Sequence, residues 1–320
     1  MSSSQKVAII GGSGFIGSNL ASDLWKGGHY VAIADVQPSR PYPDFSRYAD
    51  VRDMNSLIPA LEGCDVIINL AAQHRDDVKP VSLYYDVNVT GAENICAAAE
   101  KTGIKKIIFT SSAAVYGHHH YEADEDSPHD PIGPYGETKS QAEDVFKKWQ
   151  AQDPGQRTLV IVRPTVVFGV GNRGNVHVLL NQIVKGQFIM IGDGENKKSM
   201  AYVENVAAFL CHCMNFGPGV HIFNYVDKPD LSTKELVDII CTKIGKQINS
   251  VKLPKALGLI AGTAFDLVAR VTGKTFPISR VRVEKFCATT VFSAKKLQET
   301  AFVPPKTLKE GLEKTIASEF

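Results

Sequence analysis

The stretch VAIIGGSGFIG, residues 7–17, decides the fold. Residues 7–10 form a short apolar run typical of a central parallel strand, and residues 15–25 are helical in pattern. Between them, glycines without Cβ atoms let backbone N–H groups approach a pyrophosphate at the start of the helix. We therefore predict the phosphate-binding turn of a dinucleotide site. The residues expected to contact the dinucleotide here are Gly11, Gly14, Phe15, Ile16 and Gly17.

A carboxylate follows the second predicted strand. Residues 30–34 end at Asp35, which lies 18 residues after Gly17 and is placed to accept hydrogen bonds from an adenosine ribose diol. The same charge repels the 2′-phosphate of NADP, so the pattern favours NAD, although Arg40 nearby leaves NADP open. The alternative interpretation is an ordinary helix-start turn beside a solvated aspartate.

Strand-like and helix-like segments alternate along the first two thirds of the chain. Apolar runs at 7–10, 30–34, 66–70, 106–110 and 159–162 are separated by helical patterns at 15–25, 92–101 and 136–150. This alternation predicts right-handed crossovers, hence an α/β fold with a Rossmann-type doubly wound parallel sheet. The regular alternation of strand and helix patterns ends at about residue 220, which predicts a smaller C-terminal α/β substrate lobe. We assign 1–165 and about 198–220 to the dinucleotide-binding domain, and about 166–197 and 221–320 to the substrate-binding lobe.

Composition excludes several classes of function. The 320 residues carry 35 Lys plus Arg against 34 Asp plus Glu, so no overall positive field recruits nucleic acid. Six cysteines without CxxC pairs, and a start without a long apolar core, favour a reduced cytoplasmic protein. No apolar stretch reaches the roughly 18 residues that a membrane-spanning helix needs. Consecutive imidazoles at 118–120 point in different directions, and we expect no metal site.

A tyrosine and a lysine stand four residues apart in a predicted helix. Tyr135 and Lys139 therefore share one helix face, and a nearby cation favours the phenolate form of a group whose ordinary pKa is about 10. This spacing alone occurs often by chance on surface helices. Ser112 strengthens it, because this hydroxyl follows the strand at 106–110 and lies at the same edge of the sheet.

Taken together, these motifs resemble those of the extended short-chain dehydrogenase/reductase superfamily, in its NAD-dependent epimerase/dehydratase branch. The matching segments cover nearly the whole chain: GGSGFIG (11–17), Asp50-Val51, NLAA (69–72), NVTGAEN (88–94), TSSAAVYG (110–117), YGETK (135–139) and Arg163-Pro164. The resemblance implies NAD as cofactor, a homodimer, and a catalytic set of Ser112, Tyr135 and Lys139. The further cofactor contacts that it implies are Asp50 and Val51 beside the adenine, and Ala71, Ala72, Asn88, Lys139 and Pro164 along the cleft.

Within the family, several runs resemble bacterial 4-epimerases that interconvert GlcNAc and GalNAc on undecaprenyl diphosphate for surface polysaccharide and O-antigen synthesis. These runs include residues 71–91, 171–176 and 198–206. The resemblance implies substrate contacts from Ser112, Asn175, Lys198 and Arg282. Epimerases for soluble UDP sugars usually carry an arginine where this chain has Lys198, which offers a point charge instead of a bidentate fork. Two alternatives stay open: a UDP-GlcNAc/UDP-GalNAc 4-epimerase, and a net NAD-dependent dehydrogenase of the hydroxysteroid type.

One segment has a charge unlike the rest of the chain. Residues 246–285 contain eight basic and two acidic residues, and they flank an apolar stretch at 256–271. Such a helix suits an anionic interface, which predicts peripheral contact of residues 252–285 with the inner face of the cytoplasmic membrane. The alternative is a core or dimer element of the small lobe.

Overall fold

A parallel sheet of seven strands forms the larger part of the structure. The computed structural model describes residues 4–75, 78–119, 121–245, 252–272 and 279–320, apart from the side chains of 269–271 and 282. The strands of the molecule are β1 (Lys6–Ile10), β2 (Tyr30–Asp35), β3 (Ser46–Tyr48), β4 (Val66–Asn69), β5 (Lys106–Thr110), β6 (Thr158–Pro164), β7 (Val166–Phe168), β8 (Met190–Ile191), β9 (Lys197–Tyr202), β10 (Gly219–Tyr225), β11 (Asp227–Ser232) and β12 (Lys252–Leu253). The large sheet has the order β10-β6-β5-β4-β1-β2-β3, and every pair in it is parallel.

Helices cover both faces of this sheet. The α-helices of the described chain are α1 (Phe15–Lys26), α2 (Met54–Leu61), α3 (Ser82–Tyr85), α4 (Gly91–Thr102), α5 (Gly133–Ala151), α6 (Asn175–Val184), α7 (Val203–His212), α8 (Thr233–Ile244), α9 (Lys255–Thr272), α10 (Arg280–Cys287), α11 (Lys295–Gln298) and α12 (Leu308–Glu319). One apolar core joins the sheet to α2, α4 and α5, and a second joins it to α1 and α7. Because both faces are covered, the strands are nearly continuous apolar runs. The predicted doubly wound α/β fold is confirmed.

The strand order reverses beside β1. From β1 the chain proceeds outward to β2 and β3 on one side, and to β4, β5 and β6 on the other. Such a reversal leaves a crevice beyond the carboxyl ends of β1 and β4, where ligands bind in open α/β sheets. The topology therefore places the candidate site at the residues that follow these two strands.

A smaller lobe is built from two short sheets and the C-terminal helices. The first sheet has the order β11-β9-β7 and the second pairs β12 with β8. Its apolar core includes residues of α6, α8 and α12. Strand β9 lies in the small sheet, whereas β10 extends the large sheet to Tyr225, so the chain crosses between the lobes near residues 202 and 226. The domain boundaries predicted from the sequence at about 198 and 220 stay predictions.

Candidate active site

A cleft of about 770 Å³ lies at the carboxyl ends of the central strands. Small-lobe residues Val166, Val167 and Asn172 line one side of it. The structure brings the following predicted residues together along this cleft: Gly11, Gly14, Phe15, Ile16, Gly17, Asp35, Asp50, Val51, Ala71, Ala72, Ser112, Tyr135, Lys139, Pro164 and Asn175. Most of the predicted cofactor contacts thus share one crevice with the predicted catalytic set.

The glycine turn fits a pyrophosphate. Gly11 has φ +76°, and a Cβ atom there would lie 2.6 Å from the backbone nitrogen of Ala71, so no other residue fits without moving the wall of the cleft. Helix α1 begins directly after the turn, with no side-chain hydrogen bond capping it at Gly14 and no acidic residue in its first turn. The partial positive charge of this helix start is therefore directed to an anionic ligand.

Asp35 connects the end of β2 to the glycine turn. Its two carboxylate oxygens accept hydrogen bonds from the backbone N–H groups of Ser13 and Gln37, each at 3.0 Å. The carboxylate also lines the cleft. Because a carboxylate oxygen can accept more than one hydrogen bond, Asp35 can hold the turn and still accept from a ribose diol.

We expect Asp35→Asn to weaken NAD binding without weakening NADP binding. The substitution removes the negative charge and replaces one acceptor oxygen by a donor amide, and a hydrogen bond to a charged group contributes about 1.5–3 kcal/mol, or roughly tenfold or more in Kd. Titration of cofactor-stripped protein with each dinucleotide measures the effect. An unchanged NAD-to-NADP ratio of Kd values would place this carboxylate away from the ribose.

Asp50 and Val51 follow β3 and line the cleft. Asp50 accepts hydrogen bonds from Arg52 Nε at 2.9 Å and Nη2 at 2.5 Å, and these bonds hold the pKa of the carboxyl below its ordinary value. The side chain of Val51 packs against Gly91, and its carbonyl accepts a hydrogen bond from Asn94. Asp50 is therefore fixed as an anion, and Val51 is held by α4.

The catalytic set converges where β5 meets α5. Lys139 Nζ donates a hydrogen bond to the carbonyl of Thr110, the last residue of β5, at 2.7 Å. Ser112 Oγ accepts a hydrogen bond from the Ala114 N–H at 3.1 Å, which fixes the serine on the turn that follows β5. A Cβ atom at Gly136 would lie 2.7 Å from the Ala114 carbonyl oxygen, so this glycine lets the first turn of α5 reach that turn. Tyr135 and Ser112 share a side-chain hydrogen bond.

Burial sets the protonation of the two titrating groups. It raises the pKa of Tyr135 above its ordinary value, and the hydrogen bond with Ser112 opposes the rise. It lowers the pKa of Lys139 to about 7, while the Glu143 carboxylate opposes the fall. The sequence predicted that a lysine cation favours the tyrosine phenolate. In the free protein burial dominates instead, and Tyr135 is a neutral phenol at neutral pH.

A buried ion pair lies behind Lys139. Arg163 Nε and Nη2 donate to the two carboxylate oxygens of Glu143 at 2.8 and 2.6 Å, and both side chains are almost fully buried. Arg163 also donates to the Tyr116 hydroxyl at 2.6 Å. Since Glu143 lies one helical turn after Lys139, this pair fixes the part of α5 that carries the catalytic set.

Asn88 lies behind the cleft and is not part of its lining. Its amide oxygen accepts from the backbone N–H of Gln73 at 2.8 Å, and its amide nitrogen donates to the Thr138 hydroxyl at 2.9 Å. The residue belongs to a π-helical turn, Asp86–Thr90, that joins α3 to α4. Asn88 therefore connects the segment after β4 to α5.

Asn172 and Asn175 bring the small lobe to the cleft. The loop that holds them is tied to the end of α12, because Glu319 accepts hydrogen bonds from the Gly171 backbone N–H at 2.6 Å and from the Arg173 guanidinium. This contact joins residues about 150 positions apart in the chain. Glu319 is a positioning residue for the loop, and no local pattern in the sequence identifies it.

The structure places Lys198 outside the cleft and does not describe the side chain of Arg282. Lys198 does not line the cleft; its Nζ donates to the Lys285 carbonyl at 2.9 Å and to the Thr290 hydroxyl at 3.3 Å, and burial lowers its pKa to about 8. Arg282 lies in α10, but its side chain is outside the described residues. The substrate contacts of both residues stay predictions.

Several lining residues were missed by sequence reasoning. Gln73 and His74 follow Ala72 at the carboxyl end of β4, where the rule on ligand sites in parallel sheets would have found them. Arg52 lies beside two predicted residues and carries no separate signal, whereas Asn172 belongs to the segment 172–175, for which the sequence indicates either a sugar or phosphate contact or a turn. Leu83, Val87 and Thr165 carry no distinguishing signal in the sequence.

The Thr110 and Thr165 hydroxyls add a further observation. Both line the cleft, and neither hydroxyl oxygen has a hydrogen-bond partner among the residues that the structure describes. Buried polar atoms are rarely left unpaired, so these hydroxyls fit a polar ligand in the cleft. With the uncapped helix start and Asp35, they form a donor and acceptor set suited to a dinucleotide.

Comparison with known proteins agrees with this geometry. Residues 7–225 match the model of the NAD dependent epimerase/dehydratase family. The chain belongs to this family. It is an enzyme of the extended short-chain dehydrogenase/reductase type, and NAD is its cofactor.

Individual relatives are similar over nearly the full length. The chain is 48% identical, over 98% of its length and 95% of the relative's, to the N-acetyl-alpha-D-glucosaminyl-diphospho-ditrans,octacis-undecaprenol 4-epimerase of Escherichia coli O157:H7. It is 28% identical, over 97% of its length and 94% of the relative's, to UDP-glucose 4-epimerase of Vibrio cholerae. A solved UDP-glucose 4-epimerase from Thermotoga maritima with UDP-glucose superposes with a TM-score of 0.76 at 21% identity, covering 98% of each chain, which shows the shared fold.

Proposed function

We propose that this enzyme is an NAD-dependent 4-epimerase that interconverts GlcNAc and GalNAc on undecaprenyl diphosphate. The observation that carries the proposal is the convergence of Tyr135, Lys139 and Ser112 in the cleft that begins at the glycine turn. The substrate class is supported by the 48% identity to the lipid-linked 4-epimerase, which far exceeds the 28% identity to a UDP-sugar enzyme.

We assign the proton chemistry to Tyr135. In the cofactor-bound enzyme its phenolate, which cationic Lys139 favours, takes the proton of the sugar 4-hydroxyl during oxidation and returns it during reduction, and Ser112 holds the same oxygen by a hydrogen bond. NAD held by the glycine turn and Asp35 would supply the hydride acceptor and donor for the hydroxyl-bearing carbon. Lys139, held by the Thr110 carbonyl at 2.7 Å, supplies charge beside the phenol and a contact to the cofactor ribose. The transient 4-keto sugar would rotate within the cleft and present the opposite face of its ring to the cofactor. The hydride would then return to that face, which inverts the configuration at C4.

We assign the diphosphate end of the substrate to the small lobe. Asn175 lines the cleft from that side, and Lys198 lies in the adjoining small sheet, with Arg282 on α10. Two cations suit a diphosphate. A lysine offers a point charge, so it would hold the diphosphate differently from the bidentate arginine of UDP-sugar epimerases.

We place this activity in surface polysaccharide or O-antigen synthesis, in a homodimer at the cytoplasmic face of the membrane. Six cysteines without CxxC pairs fit a reducing compartment. No described helix combines the length and apolar character needed to cross a bilayer. The lipid tail of the substrate stays in the bilayer, so the proposal includes peripheral contact through residues 252–285.

Sugar analysis after incubation with two substrates tests the function. We expect conversion of GlcNAc-diphospho-undecaprenol to the GalNAc form with catalytic NAD and no accumulation of absorbance at 340 nm, because the hydride is returned. UDP-GlcNAc serves as the comparison. Faster conversion of UDP-GlcNAc would favour the UDP-sugar alternative, and stoichiometric absorbance at 340 nm would indicate a net dehydrogenase.

A further inference from the structure

Helix α9 presents an apolar stripe to solvent. Leu257, Ile260, Leu267 and Val268 lie on one side of the helix and are 50%, 65%, 64% and 45% exposed. Ile260 follows Leu257 by three positions and Leu267 follows Ile260 by seven, which keeps these residues and the adjacent Val268 on one helix face. Val281 of α10 is also 55% exposed. A soluble surface rarely keeps so many large aliphatic side chains in one contiguous place without a partner.

The opposite face of α9 explains why the stripe points outward. A Cβ atom at Gly258 would lie 2.8 Å from Ile191 Cγ2 of β8, and one at Gly262 would lie 2.7 Å from the backbone nitrogen of Arg280. The helix is therefore packed onto β8 and α10 through its two glycines. This packing is already close, so the stripe has no core position to occupy within the described chain.

Charge around the stripe identifies what covers it. Residues 246–285 contain eight basic and two acidic residues, whereas the other 280 residues contain 27 basic and 32 acidic ones. Lys252, Lys255 and Lys285 are exposed at the end of the α9–α10 pair where α9 begins and α10 ends. The exposed apolar helix of a nearly neutral chain thus belongs to its most basic segment, a combination that suits anionic lipid headgroups.

We propose that the apolar stripe of α9 (Leu257, Ile260, Leu267 and Val268) docks onto an anionic bilayer surface, with the surrounding lysines against the headgroups. The inference rests on the proposed function, since a diphosphate on a polyprenyl tail lies at that surface. The α9–α10 pair is attached to the substrate side of the molecule, because Lys198 donates to the Lys285 carbonyl of α10. Docking through α9 therefore brings the substrate lobe to the headgroup layer.

Vesicle flotation of the full chain tests the docking. We expect binding to phosphatidylcholine vesicles that contain phosphatidylglycerol, weaker binding to phosphatidylcholine alone, and a decrease at high salt because screening weakens the lysine contacts. The triple variant Leu257→Asn, Ile260→Asn, Leu267→Asn is expected to lose at least about tenfold of the bound fraction, because its apolar insertion is removed. The matched control is Val303→Asn, which changes an 80% exposed valine outside the α9–α10 pair and should bind like wild type.

Two further measurements separate the possible failures. Thermal unfolding should be unchanged in the triple variant, because the three residues are at least half exposed. With a short-chain, water-soluble GlcNAc diphosphate, the triple variant should match wild type, whereas in vesicles with the long-chain substrate it should be slower. No vesicle binding by wild type, or a dimer that dissociates in the triple variant without any vesicle binding, would overturn the proposal. Vesicle binding without activity on either substrate would instead contradict the proposed function alone.

Discussion

Replacing Tyr135 by phenylalanine is expected to lower kcat for 4-epimerisation by roughly 10²–10⁴-fold, while the NAD content of the purified protein stays at the wild-type level. Phenylalanine keeps the ring in its half-buried position and removes only the hydroxyl to which we assign the proton exchange. The glycine turn and Asp35, to which we assign the other end of the dinucleotide, are unaffected. Turnover is measured by sugar analysis, and bound NAD by its release on denaturation.

Tyr85→Phe is the matched control for this prediction. Tyr85 precedes the π-helical turn, and its hydroxyl donates to Glu137 of α5 at 3.0 Å without lining the cleft. We expect its kcat to stay near the wild-type value. A near-wild-type kcat for Tyr135→Phe, or equal losses in the two variants, would exclude Tyr135 as the group that exchanges the proton.

The parts of the site that depend on local sequence were predictable. A strand, the glycine turn and the start of a helix all fall within the eleven residues 7–17. Tyr135 and Lys139 share one face of α5 because they are four residues apart. Ser112 and Ala71 follow buried strands, and parallel topology brings all carboxyl ends to one edge of the sheet. The fold class followed from the same alternation of apolar runs and helical patterns.

The parts that depend on burial and on distant contacts were not predictable. Proximity of a lysine to Tyr135 indicated a stabilised phenolate, but desolvation by the surrounding core outweighs it and raises the tyrosine pKa. The tie between Glu319 and the loop at Gly171 joins the chain's end to its middle. The motif around Lys198 predicts a phosphate contact. The direction of its side chain is instead set by α10, because its Nζ donates a hydrogen bond to the Lys285 carbonyl.

Arg163→Met is expected to destabilise the protein by about 3–5 kcal/mol, the cost typical of leaving one member of a buried ion pair without its partner. The variant keeps Glu143 fully buried but removes both guanidinium donors, at 2.8 and 2.6 Å, and the donor to the Tyr116 hydroxyl. Urea unfolding measures the loss. Lys105→Met is the control, because its pair with Asp153 at 3.2 Å is largely exposed and such pairs contribute about 0–1 kcal/mol.

The pH dependence distinguishes a lost ion pair from a lost packing contact. The pKa of Glu143 in the folded protein is below its ordinary value of 4.5, with the Arg163 hydrogen bond among the causes. The pair therefore stabilises the wild-type fold above about pH 4.5, and this contribution is lost as pH falls through the lowered value. In Arg163→Met the Glu143 carboxyl has lost its cationic partner and is protonated more easily inside the protein. The difference in unfolding free energy between wild type and variant should therefore shrink as pH falls below 4.5. A difference that stays constant with pH would mean that the methionine only disturbs packing, and that the Arg163–Glu143 charge pair does not hold the helix that carries Tyr135 and Lys139.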